Sequence, residues 1–314
     1  MIGQTDRALG ALYGLAIGDA LGMPTQELDR SEAKRILGAP PHFRDGGENP
    51  IARGLPAGSV TDDTMQCLLI AELLVSGSGA IDPKKLADAL LAWEREMAEH
   101  GRHLLLGPST KRALAAVAAG DDPSRTGRGG TTNGAAMRIA PVGIATPVQP
   151  LGRLVAAVVA ADQVTHDTDV AHGGAAAVAA VVSAGVDGAT FKQAVRGAIQ
   201  AARQFGFAGL VEEALTLTNV DAVVERFGTG VETAESVPTA FGVAFLSHGD
   251  VWEACTVAAG LGGDTDTIAA LAGAMVGACT GLSALPPDAV RKVREVNGLD
   301  LEPVVENLLA LRRR

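Results

Sequence analysis

A chain of 314 residues, 47% apolar and 20% charged, holds enough apolar material for a large core and excludes a predominantly disordered protein. Aromatic residues make up only 3% while glycine contributes 39 positions, so the core must be built from small side chains that let helix backbones approach closely. Against 36 acidic residues there are 26 basic ones, and the formal net charge of −10 argues against a nonspecific nucleic-acid binder and against an anionic membrane surface.

The first residues, Met1 to Arg7, contain no basic segment followed by an apolar run, which predicts a cytoplasmic protein without a secretory leader. In chain order, helical periodicity predicts helices over 8–17, 65–75, 83–99, 109–119, 151–161, 170–184, 190–205, 211–217, 220–227, 237–247, 250–260, 267–280 and 303–313. Glycine and proline segments at 40–59, 101–108 and 120–134, with short turns at Gly206, Gly228 and Pro286-Pro287, separate them. Nothing reads as an interdomain linker, and the expectation is a single all-α domain spanning 1–314. The uncharged stretch 268–285 is long enough to be confused with a membrane span. Its Ala and Gly content, and the Asp264 and Asp266 that precede it, read instead as a buried helix whose Gly273, Gly277 and Gly281 form a stripe for a close neighbour. Cys67, Cys255 and Cys279 lie far apart in apolar runs and read as buried free thiols. The terminal Arg312-Arg313-Arg314 reads as a solvated helix end.

Four motifs carry candidate chemistry. In the first, 14–24, Gly14, Gly18 and Gly22 place a thin stripe along a helix, and Asp19 within it reads as a partner for nearby backbone donors. The second, Thr61-Asp62-Asp63-Thr64, heads an apolar helix; one Asp would cap it, whereas two carboxylates and two hydroxyls are the hard oxygen donors that Mg²⁺, Mn²⁺ or Ca²⁺ prefer. The third, Gly262-Gly263-Asp264-Thr265-Asp266-Thr267, heads another small-residue helix, and its glycines permit a tight turn that lets Asp264 and Asp266 converge. Four carboxylates sharing one pocket would repel strongly, and a pair of divalent cations resolves the repulsion better than two separate caps do. The fourth, the glycine-rich loop 127–138, exposes backbone N–H groups suited to phosphate oxygens without matching a P-loop or a dinucleotide fingerprint. Between the third and fourth motifs in space belongs the segment 162–169, where His166 stands among hydroxyls and carboxylates; the histidines at 42, 100, 103, 172 and 248 show no paired metal spacing.

Taken in order, GDALGMP at 18–24, TDDT at 61–64, NGAAMR at 133–138, TH at 165–166 and GGDTDTIAA at 262–270 resemble the motif series of the ADP-ribosylglycohydrolases, over nearly the whole chain. The resemblance implies an all-α fold around two Mg²⁺ or Mn²⁺ ions and hydrolysis of a ribosyl C1″ glycosidic bond. It implies Thr61, Asp62, Asp63, Asp264, Asp266 and Thr267 as metal ligands. It also implies Gly129, Gly130, Thr131, Thr132, Asn133 and Gly134 along the ribose and diphosphate, with His166 contacting the substrate ribose. The expected partner is an ADP-ribosyl or ribosyl substrate, with no nucleic acid and no membrane. In mechanism, the carboxylates stabilise an oxocarbenium-like state while water, assisted by Asp63 or another carboxylate beside the ions, attacks C1″.

Two departures stand out. Several relatives carry Glu at the place of Gln26, with Glu27 following it here, so either Glu27 serves, or an Asp at the ions does, or the substrate differs. Thr131 and Thr132 stand where some relatives have an aromatic residue and a glycine. The readings that follow are an ADP-ribosyl hydrolase, an N-glycosidase of a small ribosyl compound or modified nucleoside, and a non-catalytic ADP-ribose binder or crystallin-like structural protein.

Overall fold

The apolar spacing of the sequence is realised as helices from one end of the chain to the other. The computed structural model describes residues 3–47, 49–101 and 105–314. The very start of the chain, His103 and parts of the irregular stretches 40–59 and 101–108 lie outside the described residues. The helices are α1 (Gln4–Gly22), α2 (Arg30–Leu37), α3 (Asp62–Ser76), α4 (Pro83–Glu99), α5 (Pro108–Ala118), α6 (Gly134–Met137), α7 (Ala140–Ala145), α8 (Leu151–Asp162), α9 (Asp169–Val186), α10 (Phe191–Arg203), α11 (Ala208–Ala214), α12 (Val220–Phe227), α13 (Thr233–Leu246), α14 (Val251–Ala259), α15 (Thr265–Thr280), α16 (Pro287–Asn297) and α17 (Leu301–Arg312). Among the described residues β structure is confined to two isolated bridges, Leu28 with Gly263 and Thr132 with Glu232.

Glycine spacing decides how the two central helices meet. Along α1 and α15 the pairs run antiparallel. A Cβ on Gly273 would lie 2.1 Å from the Gly14 carbonyl oxygen, one on Gly277 2.1 Å from that of Gly10, and one on Gly18 2.1 Å from that of Ala269. The backbones therefore touch, as the two stripes require. Gly22 continues the seam, and a Cβ there would lie 2.4 Å from Asp266 Cα. The last turn of α1 is thus fixed against the first turn of α15, which carries the third motif.

Four elements lack a strong sequence signal. Helix α2 buries only Ala33 and Leu37; its start is made by Asp29, whose side chain accepts from the Ser31 and Glu32 amides, and its end by Gly38. Helix α16 opens on Pro287, part of a predicted turn, because a proline in the first turn loses no intrahelical hydrogen bond. Helices α6 and α7 are short and wholly buried, so no polar face marks their period.

One apolar core runs through nearly all the helices, with alanines of α9 and α15 at its centre. Helix α9 is long and apolar enough to cross a membrane by length and composition, but 83% of its span is buried inside the fold. Cys67, Cys255 and Cys279 are free and buried, as expected, and burial pushes the Cys255 thiol up to about 12. Arg312 corrects an expectation. It is not a solvated end: its guanidinium is buried and donates to the carbonyls of Gly143, Ile144 and Ser183 at 3.0–3.1 Å and to the Asp187 carboxylate at 2.5 Å. The orphan carbonyls at the C-termini of α7 and α9 draw it in.

Candidate functional site

At the C-terminal end of α1 the heads of α3 and α15 come together. Thr61, the N-cap of α3, makes no side-chain cap of its own. Asp19 of α1 does the capping instead: its carboxylate accepts from the amides of Thr61 at 3.0 Å and Thr64 at 3.1 Å and from the Thr64 hydroxyl at 2.5 Å. This is the backbone-satisfying role its sequence context predicts. Because Asp19 does the capping, Asp62 and Asp63 need not.

The head of α15 is shaped by Gly262 and Gly263, both with φ in the left-handed region, at 79° and 74°. A Cβ on Gly263 would lie 2.4 Å from the Thr229 carbonyl oxygen. The turn is held on both sides, by Glu27 N–H donating to Gly263 O at 2.7 Å, Gly263 N–H to Leu28 O at 2.9 Å, and Asp264 N–H to Thr229 O at 2.7 Å. The two heads then join through side chains: the Thr267 hydroxyl donates to Asp63 Oδ2 at 3.4 Å, and the Thr61 hydroxyl donates to the same oxygen at 3.2 Å. Asn133 of the glycine-rich loop donates to Asp264 Oδ2.

A cavity of about 160 Å³ opens over this meeting point. Asp62, Asp264, Asp266 and Thr267 line its floor, Thr132, Asn133 and Gly134 one wall, and Gln26 and Glu27 another. Asp63 and Thr61, 1% and 0% exposed, do not reach the cavity and lie beneath it. The carboxylates are out of water and beside one another. Burial first, and then the charges of Asp19 and Asp264, push Asp62 well above the usual carboxylate range, and burial followed by the other aspartates does the same to Asp63 and Asp266. Burial also raises Asp264, with a contribution from the Glu27 charge, and lifts Asp19 to about 6 against the pull of its own hydrogen bonds. Lys111 pulls the other way on Asp62, less than burial and the neighbouring carboxylates push. Asp63 Oδ1 and Asp266 Oδ1 are buried without a hydrogen-bond partner. Such a cluster of oxygen donors, with orphaned acceptors and little opposing charge, fits a hard divalent cation. Among the described residues no group of three or more His, Cys, Asp or Glu side chains already closes on one point as it would around a held ion. The fit therefore rests on the donor chemistry.

The glycine-rich loop is divided by the structure. Thr132, Asn133 and Gly134 face the cavity, whereas Gly129 is exposed beside Arg112, Gly130 is buried beneath the loop against Thr165, and Thr131 is tied by its carbonyl to the amide and hydroxyl of Thr233. The segment 162–169 packs under this loop rather than between it and the head of α15: Asp167 N–H donates to Gly127 O at 2.8 Å and the Thr168 hydroxyl to Gly130 O at 2.6 Å.

His166, expected at the substrate ribose, stands behind the cavity wall. It is fully buried, its Nδ1 lies 2.7 Å from Thr165 Oγ1 and its Nε2 3.1 Å from Thr132 Oγ1. Thr132 stands between this ring and the cavity, and His166 is not among the residues that line it. Burial, and then the Arg138 charge, hold the imidazole well below its ordinary range, so it is neutral. Behind it Arg138 is wholly buried, donating to Gln66 Oε1 at 2.9 Å and to Thr165 Oγ1 at 2.6 Å. Arg138 lies within the 133–138 motif, and an arginine closing a buried NGAAMR turn is the signal in the sequence for this role.

The family model for ADP-ribosylglycohydrolase matches residues 2–314. The chain is 34% identical over 316 residues to the protein YegU of Escherichia coli (strain K12), covering 95% of this chain and 94% of that one. It is 31% identical over 299 residues to the ADP-ribosylarginine hydrolase Tri1 of Pseudomonas putida (strain GB-1), covering 92% of this chain and 74% of that one. A solved structure described as an ADP-ribosylglycohydrolase-related protein complex superposes with a TM-score of 0.74 at 29% identity, covering 100% of this chain and 99% of that one. With the family model matched over nearly its full length, the chain belongs to the ADP-ribosylglycohydrolase family.

Proposed function

We propose that this protein is a divalent-cation-dependent hydrolase of the ribosyl C1″ glycosidic bond in ADP-ribosylated substrates. The observation that carries the reading is the meeting of two Asp/Thr helix heads, from 62 and from 264 onward, at the floor of one cavity with uncompensated carboxylates. Asp62, Asp63, Asp264 and Asp266, with the Thr61 and Thr267 hydroxyls, would hold Mg²⁺ or Mn²⁺. Bound there, the cations supply positive charge that orients ribose hydroxyls and favours ionisation of water.

The chain's own groups do the rest. Glu27 lines the cavity, and its charge is felt at Asp264, while Gln26 is turned back to donate to the Met23 carbonyl at 3.1 Å. Glu27 is therefore the carboxylate placed to take a proton from attacking water, a task the Gln26 amide cannot perform. The carboxylates of the floor stabilise positive charge developing on the ribosyl ring as the bond to the leaving group breaks. Asn133, held by Asp264 and donating to the Ser236 hydroxyl at 2.9 Å, fixes the wall opposite.

A second reading, cleavage of a small ribosyl compound, is favoured by the cavity itself. Its volume of about 160 Å³ is below the roughly 300 Å³ at which pockets begin to hold whole drug-sized ligands, and none of the described residues that line it is aromatic. The deciding experiment is a hydrolysis assay with Mg²⁺, Mn²⁺ or EDTA on ADP-ribosyl-arginine, ADP-ribosyl-serine, O-acetyl-ADP-ribose and a nucleoside panel. Cation-dependent release of ADP-ribose is the expected result. Release of free ribose from nucleosides alone selects the second reading, and silence on every substrate contradicts both.

A further inference from the structure

The hydrogen bonds around His166 have a direction. Arg138 has only donors, so Thr165 Oγ1, 2.6 Å from Nη2, accepts from it. Among the described residues the other hydrogen-bond neighbour of that hydroxyl is His166 Nδ1 at 2.7 Å, which takes its proton in a fully buried site. Nδ1 thus accepts, and the proton of the neutral ring lies on Nε2. Nε2–H donates to Thr132 Oγ1 at 3.1 Å, which occupies an acceptor position of that hydroxyl and leaves its own proton unclaimed. Thr132 lines the cavity. Its backbone is clamped on both sides: Asn133 N–H donates to Val231 O at 2.9 Å, Thr233 N–H donates to Thr131 O at 3.0 Å, and Thr132 bridges Glu232. The ring behind it is equally fixed, since a Cβ on Gly134 would lie 2.7 Å from His166 Cε1.

We infer that Thr132, oriented by the Arg138, Thr165 and His166 chain, presents its hydroxyl proton to the cavity as a directional donor for an oxygen of the bound ribosyl group. The inference rests on the ribosyl-hydrolase reading for the identity of its acceptor, but not for the direction of the chain. It makes Thr132 a specificity-determining residue in two ways: the hydroxyl selects a ligand with an oxygen acceptor at that wall, and its methyl group and Cβ fill space that a glycine would leave open to His166.

The test uses the full-length protein and two readouts. Nitrogen-15 NMR of the histidine rings reports the tautomer without any substrate; His166 is expected as the Nε2–H form, and an Nδ1–H form overturns the inference. Kinetics with the best cleaved ribosyl substrate then compare Thr132→Ser, which keeps the hydroxyl, with Thr132→Val, which keeps the shape. Thr132→Ser should stay within about threefold of the parent, and Thr132→Val should lose about tenfold or more in kcat/KM, the effect of one hydrogen bond. If the valine variant does not fold, Thr132→Ala provides the hydroxyl-free arm. Parent-like kcat/KM in the hydroxyl-free variant, or equal losses in it and in Thr132→Ser, overturns the proposal. A parent protein that cleaves no ribosyl substrate removes the functional reading instead, and the tautomer measurement still decides the direction of the chain.

Discussion

Asp19 and Thr64 belong to different helices, yet the carboxylate of the first caps the helix of the second, accepting from its amide at 3.1 Å and its hydroxyl at 2.5 Å. The contact makes the end of α1 part of the head of α3. Asp19→Ala should therefore leave the Thr61 and Thr64 amides unsatisfied in a buried place and cost about 2–4 kcal/mol. Urea denaturation followed by circular dichroism measures this. A loss below about 0.5 kcal/mol would show that the cap is dispensable.

The carboxylate cluster predicts an unusual pH response of the cation-free protein. Asp62, Asp63 and Asp266 are raised in the folded state, chiefly by burial, so between the ordinary carboxylate range and their raised values the folded chain holds more protons than the unfolded one. Stability from this cluster is then present at low pH and is lost as pH rises through the raised values. The Tm in EDTA should fall between pH 5.5 and 7.5 in the parent and fall less in Asp63→Asn. Added Mn²⁺ should raise Tm more at pH 7.5 than at 5.5, by a stabilisation of about 2.7 kcal/mol at a hundredfold excess over Kd.

The glycine seam predicts a coupling between packing and the site. Gly273→Ala places a methyl group 2.1 Å from the Gly14 carbonyl oxygen, which α1 and α15 can relieve only by moving apart. A loss of about 1–3 kcal/mol is expected, with weakened Mn²⁺ binding because Asp19 and Asp266 ride on the two helices. Thermal melts and Mn²⁺ titration of the variant check both parts.

How far the sequence showed this depends on how local each signal is. The two Asp/Thr heads and the small-residue stripes were legible because each is a motif on one helix, and the glycines at 14, 18 and 273 do what their spacing predicted. Helices α2 and α16 were not, since their starts rest on Asp29 and Pro287 and their buried faces are only two residues wide. The burial of Arg312 and of His166 was not legible for a different reason. Their surroundings come from elements far away in sequence: Gly143 and Ser183 carbonyls for one, the Thr132 side chain for the other. No periodicity records which of two adjacent threonines will stand in front of a histidine.

The central claim is that the heads of α3 and α15 form one cation centre, and electron paramagnetic resonance titration with Mn²⁺ tests it most directly. The parent should bind Mn²⁺, and Asp62→Ala and Asp264→Ala, one from each head, should each lose about tenfold to a hundredfold or more in affinity while keeping their helical signal. Undiminished binding in either variant would contradict it.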